Sequence, residues 1–134
     1  ISRFLHQKSR FPRKEVSPLY EVDYITNLTL VAVTGEVGYE RIIAVGGYQL
    51  EPGTNLAELS LSVVRDWQGH GLGTIIQAKL AEVARENNIK GLVAYVTPEN
   101  RAMITLFKKL PFRVTSLLEP PHLVKLQILF NEPL

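Results

Sequence analysis

Three alternating glycines, Gly69, Gly71 and Gly73, separate a strand-like run from a run with helical spacing. Glycines at this spacing let backbone N–H groups point into one concavity, because no Cβ atom stands in their way. The N-terminus of the helix that follows contributes about half a positive charge. Residues 63–74 therefore predict a cradle for a phosphate or pyrophosphate group.

Two other phosphate-binding motifs do not describe this loop. A dinucleotide fingerprint needs glycines spaced as G-x-G-x-x-G in the first βα unit of a parallel sheet. The spacing here is G-x-G-x-G, and the strands before it are joined by short turns, which indicates an antiparallel meander. A Walker A loop needs Lys and then Ser or Thr after its last glycine, whereas Thr74 follows Gly73 directly. Both of these nucleotide sites are therefore disfavoured.

Length and composition bound the rest of the chain. Its 134 residues predict a single domain, and 46% hydrophobic and 21% charged residues are ordinary for a soluble globular protein. A net charge of +2, from 15 basic and 13 acidic residues, does not favour a dedicated nucleic-acid binder. The chain has no cysteine, which excludes disulfides, thiolate metal sites and a cysteine nucleophile. No apolar run approaches about 18 residues and no signal peptide is evident, so we expect no membrane partner and a cytoplasmic location.

The spacing of hydrophobic residues along the chain changes between the period of a helix and that of a strand. Pro12 can open a helix over residues 14–24. The basic and apolar residues before it are typical of a helical face, either solvated or used to dock a partner or an acidic substrate. The predicted strands are residues 28–33, 41–48, 56–64, 91–96, 112–118 and 123–130, and the predicted helices after the loop are residues 72–84 and 101–110.

Two segments resemble the GNAT superfamily of N-acetyltransferases. Residues 68–73, Gln-Gly-His-Gly-Leu-Gly, are similar to its acyl-CoA motif, (Arg/Gln)-x-x-Gly-x-(Gly/Ala). The stretch that begins at Asn100 and contains Leu106, Phe107 and Phe112 resembles the superfamily's second conserved segment. The likeness in strand and helix order covers residues 28–130. It implies an α+β fold with a largely antiparallel central sheet, helices on both faces, and a pyrophosphate-binding loop between strand 4 and the following helix.

A closer resemblance is to the acetyltransferase domain of bacterial Pat-type protein lysine acetyltransferases. It is carried by residues 13–24, which end Glu-Val-Asp-Tyr, and by residues 57–64, Ala-Glu-Leu-Ser-Leu-Ser-Val-Val. In those proteins the domain is often fused to an acyl-CoA synthetase-like region, so we expect a fused or associated region of that kind. Residues 1–134 would then be one acetyltransferase domain of a longer chain. The superfamily's first strand is not evident in the sequence, and a segment before Ile1 could supply it.

The resemblance implies that acetyl-CoA is the co-substrate. Val63 and Val64 would pair with the pantetheine amides, and backbone N–H groups of the loop would hold the pyrophosphate. Arg65 would contact phosphate, although a plain surface arginine fits its position as well. Asn100 would bond the cofactor arm, cap its own helix, or do both. The implied cofactor-binding residues are Val63, Val64, Arg65, Gln68, Gly69, Gly71, Leu72, Gly73, Thr74, Asn100 and Phe107.

Glu58 is the predicted general base. It shares the polar face of an alternating strand with Ser60 and Ser62, and it matches the glutamate of the Pat-type strand. A lysine amine with a pKa near 10.4 is mostly protonated at pH 7, and Glu58 can accept its proton directly or through water. The alternative is a solvent-facing carboxylate with no role in catalysis.

For the general acid the chain departs from the family pattern, because Phe107 stands where many members have a tyrosine. A phenylalanine cannot protonate the departing CoA thiolate. Water or Tyr95 could do so, and a thiol of pKa about 8.5 can also leave unaided. His70 is predicted to face solvent. His6 and His122 have no partners at metal-ligand spacing, so no metal site is predicted.

These features predict an N-acetyltransferase that moves an acetyl group from acetyl-CoA to a primary amine by direct attack in a ternary complex. A protein lysine is the favoured acceptor, on the Pat-type resemblance. Two alternatives stay open: a small-molecule amine or polyamine N-acetyltransferase, and a non-catalytic acyl-CoA-binding regulatory domain. The missing tyrosine favours the regulatory domain, whereas Glu58 argues against it, because ligand binding alone needs no base.

Overall fold

The structure, a computed structural model, describes residues 2–7 and 26–134, so the helix predicted over residues 14–24 lies outside the described residues. The strands are Ser2–Gln7 (β1), Asn27–Thr34 (β2), Arg41–Leu50 (β3), Leu56–Val63 (β4), Gly91–Val96 (β5), Thr115–Glu119 (β6) and Leu123–Leu129 (β7). The described helices are Leu72–Glu86 (α1) and Arg101–Phe107 (α2), with a short 3-10 turn at Arg65–Trp67. No helix in this described part of the chain is long and apolar enough to cross a membrane.

The strands form one sheet in the order β1–β2–β3–β4–β5–β7–β6, and every neighbouring pair is antiparallel except β4 and β5. The predicted meander of β2, β3 and β4 is confirmed. The parallel pairing of β4 with β5 ends at Glu58↔Val93. Beyond that pair, β4 stays with β3 as far as Val63, and β5 stays with β7 as far as Val96. The two halves of the sheet therefore diverge beyond Glu58 and leave a wedge-shaped gap.

Strand β1 corrects part of the prediction for the N-terminal stretch, whose basic and apolar residues favoured a helical face. Residues 2–7 instead pair antiparallel with β2, from Ser2↔Thr34 to Gln7↔Leu30, and the rest of that stretch lies outside the described residues. The reason is non-local: β2 presents a backbone edge, and a strand partner satisfies its N–H and C=O groups regardless of side-chain spacing. The first strand, which the sequence did not reveal, therefore lies at residues 2–7.

The core lies on one face of the sheet, beneath α1. Leu59 of β4 is buried on this face, and Leu61 packs against the same cluster. Because side chains alternate along a strand, Glu58 points to the opposite face and is exposed. α1 covers the core through buried residues at helical spacing, namely Leu72, Ile76, Leu80, Val83 and Ala84. The alternation of β4 thus separates a buried apolar face from a polar face that carries Glu58.

Gly91 opens β5 close to the point where β4 and β5 part, and it touches the backbone of β7. A Cβ atom there would collide with the carbonyl oxygen of Ile128, which belongs to a strand and cannot swing aside. We expect Gly91→Ala to push β5 away from β7 and to lower the free energy of unfolding by about 2–3 kcal/mol. Urea denaturation measures this change.

Gly38→Ala is the matched control for that substitution. Gly38 has a φ of +89° but no atom within 4 Å of an added Cβ. Gly38→Ala should therefore lower the free energy of unfolding by only about 1 kcal/mol, which is the cost of holding an alanine in the left-handed conformation. Equal losses for the two variants would contradict the close β5–β7 contact.

Candidate functional site

A cavity of about 1000 Å³ fills the gap between the diverging strands. Its walls come from the end of β4, the glycine loop, the first turn of α1, the end of β5 and α2. The sequence-predicted site residues that line it are Glu58, Val63, Gln68, Gly69, Gly71, Leu72, Gly73, Thr74 and Asn100. Residues from separate stretches of the sequence therefore meet around one space.

The glycine loop has a backbone shape that glycine adopts most easily. Gly69 has a φ of +81°, and Gly71, the N-cap residue of α1, has a φ of +84°. A Cβ at either position would meet no atom within 4 Å, so the backbone conformation, not crowding, explains the glycines. Gln68 donates from Nε2 to the carbonyl oxygen of Val63 at 2.9 Å. This hydrogen bond ties the loop to the end of β4 and leaves open space beside it.

The N-terminus of α1 opens on the cavity. Its first turn contains no acidic residue, and no side chain caps it. The first N–H groups of a helix have no partner within the helix, so those of Leu72, Gly73 and Thr74 remain available to a ligand. Arg101 and Lys109 also line the cavity and add two cations. Donors and charges of this kind fit an anionic group such as a pyrophosphate.

Sequence reasoning missed Arg101 and Lys109, although a signal for them exists. Together with Thr105 they recur at every fourth position, which would place them on one face of the predicted helix over residues 101–110; in the structure Lys109 lies just past the end of α2. Asn100 begins this helix, and its Oδ1 accepts a hydrogen bond from the Met103 N–H at 3.1 Å. The predicted cap is therefore present, and Asn100 lines the cavity as well.

Three sequence-predicted residues do not line the cavity. Val64 extends the pairing with β3 through its N–H to the carbonyl oxygen of Ile43 at 2.9 Å. Arg65 is exposed in the 3-10 turn. Phe107 is fully buried in the core, on the inner side of α2, where it packs with the cluster under the sheet. The motif predicts where Phe107 stands in the chain but not which way its side chain points. The prediction that Phe107 binds the cofactor is therefore not supported, because its side chain is in the core and not in the cavity lining.

Glu58 lies where this cavity meets a smaller one. The smaller cavity, about 330 Å³, is bounded by β2, β3 and β4, and Glu58 and Ser60 belong to its lining too. Among the described residues that line the larger cavity, Glu58 is the sole carboxylate. A carboxylate at this junction can accept a proton from a group that enters through the smaller cavity and reacts in the larger one.

Tyr95 lines the larger cavity from β5, and its proton is committed elsewhere. Its hydroxyl donates to Glu51 Oε2 at 2.8 Å. This hydrogen bond, together with burial and the nearby carboxylates of Glu51, Glu119 and Glu58, raises the pKa of Tyr95 to about 12. Proton transfer from such a phenol to a thiolate of ordinary pKa would be uphill by about 5 kcal/mol. Tyr95 is therefore a poor general acid.

The two histidines whose side chains the structure describes, His70 and His122, do not line the cavity. His70 is exposed and lies against Trp67, with ring centroids 5.8 Å apart. His122 is exposed beside β7. Over residues 26–134 and the short first strand, no group of three or more His, Asp and Glu side chains is arranged to hold a metal ion.

Sequence comparisons show that the chain is similar to acetyltransferases. A family model described as the acetyltransferase (GNAT) family matches residues 4–112. Acetyltransferase PA5475 of Pseudomonas aeruginosa is 30% identical over 104 residues, which cover 74% of this chain and 56% of that protein. The chain thus spans about half the length of this curated relative.

Solved structures with the same fold include several acyltransferases. The GNAT domain of S. lividans PAT matches with a TM-score of 0.69 at 25% identity, over 90% of this chain and 70% of that one. A cAMP-binding acyltransferase from Mycobacterium smegmatis matches with a TM-score of 0.66 at 25% identity, over 90% of this chain and 36% of that one. The structure of yncA from Salmonella typhimurium with its cofactor acetyl-CoA matches with a TM-score of 0.67 at 23% identity, over 89% of this chain and 74% of that one. At that identity, the yncA match shows a shared fold alone.

The Tyr95–Glu51 hydrogen bond makes a prediction about stability and pH. Tyr95→Phe should lower the free energy of unfolding at pH 7 by about 1–2 kcal/mol. The pKa of Tyr95 in the folded chain, about 12, lies above the ordinary value of 10.0. The stabilisation is therefore complete below pH 10 and is lost as the pH rises toward 12.

Urea denaturation of both chains between pH 7 and 12 measures this difference, and the phenolate absorbance of the wild type minus that of Tyr95→Phe gives the titration directly. A stability difference that stays constant from pH 9 to 12 would contradict the hydrogen bond to Glu51.

Proposed function

Because the chain belongs to the GNAT acetyltransferase family, we propose that it transfers an acetyl group from acetyl-CoA to a primary amine, with a protein lysine side chain as the acceptor. The observation that carries this proposal is the set of charges around one cavity. The N-terminus of α1 opens on it, Arg101 and Lys109 line it, and Glu58 is the sole carboxylate of its described lining. The helix N-terminus and the cations suit an anionic cofactor, and the carboxylate suits a basic amine.

Acetyl-CoA, when bound, supplies an acyl group activated as a thioester. The loop N–H groups and the first turn of α1 would hold its pyrophosphate, and Arg101 and Lys109 would offset its negative charge. Beyond Glu58, β4 does not pair with β5, so the β4 backbone between Glu58 and Val63 has no strand partner on that side and can bond amides of the pantetheine arm. The carbonyl oxygen of Val63 already accepts a hydrogen bond from Gln68. The open space beside Gly69 and Gly71 lets the ligand approach the backbone closely.

Glu58 prepares the acceptor. A lysine amine of pKa about 10.4 is neutral in only roughly one molecule in a few thousand at pH 7. Glu58 accepts the proton that the amine must lose, directly or through water, and the neutral amine then attacks the acyl carbon. The chain has no cysteine to carry an acyl group, which favours direct transfer in a ternary complex.

The described residues offer little help to the departing thiol. Phe107 is buried and has no proton to give, and the Tyr95 hydroxyl is engaged with Glu51. A thiol of pKa about 8.5 leaves without a strong acid, so solvent can complete its protonation. The lack of an acid among the described residues therefore does not oppose turnover.

Glu58→Gln tests the base. We expect kcat at pH 7 to fall about 100-fold, with the Kd for acetyl-CoA unchanged, because the amide is isosteric but cannot accept the proton. The deficit should shrink as the pH approaches 10, since more acceptor is then neutral. Steady-state release of CoA measures kcat, and isothermal titration measures the Kd.

The control for this variant is Glu36→Gln, which removes an exposed carboxylate from the turn between β2 and β3. It should match the wild type at every pH. If Glu58→Gln also matched the wild type at pH 7, Glu58 would not be the base.

The acceptor is tested by CoA release with a lysine-bearing protein and, in parallel, with a panel of polyamines and other small amines. We expect release above the rate of hydrolysis with the protein, and mass spectrometry should show acetylated lysine. Release with the small amines alone would favour a small-molecule N-acetyltransferase. Binding of acetyl-CoA with no acceptor-dependent release would favour a regulatory binding domain.

A further inference from the structure

Tyr95 is a polar residue of the larger cavity to which the mechanism above gives no role. It stands two residues after Val93 on β5, so the two side chains leave the same face of the strand. Val93 is the register partner of Glu58 on β4. Tyr95 and Glu58 therefore face the same side of the diverging sheet, and both residues line the larger cavity.

The hydrogen bond to Glu51 determines what the Tyr95 hydroxyl can do for a ligand. Its single proton is donated to Glu51 Oε2 at 2.8 Å, so only lone pairs of the phenolic oxygen remain. A thiolate or a thioester carbonyl needs a donor and gains nothing from this oxygen. An amine or ammonium group, which carries N–H donors, is the reactant that matches it.

Charges around the ring point to the same reactant. Glu51, Glu119 and Glu58 are all close enough for their charges to act on the Tyr95 hydroxyl. The Lys125 ammonium lies over the ring, 5.9 Å from its centroid, as one cation beside these three carboxylates. The carboxylates therefore outnumber the cation around the hydroxyl, which favours a ligand that arrives as a cation.

We propose that Tyr95 binds the acceptor amine by accepting one of its N–H groups, and that Glu51 is a positioning residue that keeps the Tyr95 hydroxyl turned for this purpose. This inference rests on the proposed transfer of an acetyl group to an amine. It assigns the amine two contacts: Tyr95 holds the nitrogen, and Glu58 takes the proton. Glu51, which comes from the turn after β3, does not line the larger cavity and acts through Tyr95.

The test compares KM for the acceptor, kcat and the Kd for acetyl-CoA in Tyr95→Phe, Glu51→Gln, Glu51→Leu and the double variant Tyr95→Phe/Glu51→Leu. Tyr95→Phe should raise KM for the acceptor about tenfold and leave the Kd for acetyl-CoA unchanged, because it removes one hydrogen bond to a charged group. Glu51→Leu should have a similar effect. KM for the acceptor should be no higher in the double variant than in Tyr95→Phe, since Glu51 acts only through the hydroxyl.

Glu51→Gln separates positioning from general structural damage. Its amide oxygen can still accept a hydrogen bond from the Tyr95 hydroxyl, so most of the rise in acceptor KM seen in Glu51→Leu should be absent in Glu51→Gln. An unchanged Kd for acetyl-CoA shows that each variant is folded.

The possible failures are distinguishable. A wild-type chain that binds acetyl-CoA and acetylates no amine overturns the proposed function and this assignment with it. A wild type that turns over, with Tyr95→Phe and Glu51→Leu unchanged in acceptor KM, overturns the assignment of Tyr95 and Glu51 alone. Additive losses in the double variant would show that Glu51 does not act through Tyr95.

Discussion

The early end of the pairing between β4 and β5 is the constraint on which the rest of the structure depends. The two strands are parallel partners only as far as Glu58↔Val93, and each then follows a different neighbour. Backbone groups on the facing edges beyond this pair have no ladder partner on the other strand, and they border the larger cavity. A ligand that carries amide groups can pair with them. The same divergence places Glu58 at the vertex of the gap.

Groups of opposite charge line one cavity because different elements close it. The N-terminus of α1, Arg101 and Lys109 favour an anion there. Glu58, the sole carboxylate of the described lining, favours a cation. In the proposed reaction the anion is the CoA pyrophosphate, the cation is the acceptor amine, and the acyl group passes from the thioester to that amine.

Features that depend on neighbouring residues could be predicted from the sequence, and features that depend on distant pairing could not. The glycine loop, the alternation around Glu58 and the Asn100 cap are local patterns, and the structure contains all three. The pairing of residues 2–7 with β2 is decided by a strand edge that lies 23 to 32 positions further along the chain. The Tyr95–Glu51 hydrogen bond joins residues 44 positions apart, which no periodicity reveals. The cytoplasmic location and the fused acyl-CoA synthetase-like region stay predictions.

Titration of the nitrogen-15-labelled chain with CoA, followed through its backbone amide resonances, tests directly whether the glycine loop holds the cofactor. We expect the largest shift changes at Gln68, Gly69, Gly71 and Gly73, with smaller changes along the two diverging strand ends and none in β1. Loop resonances that do not move, with changes confined to the residues of the smaller cavity, would show that CoA does not bind at the loop.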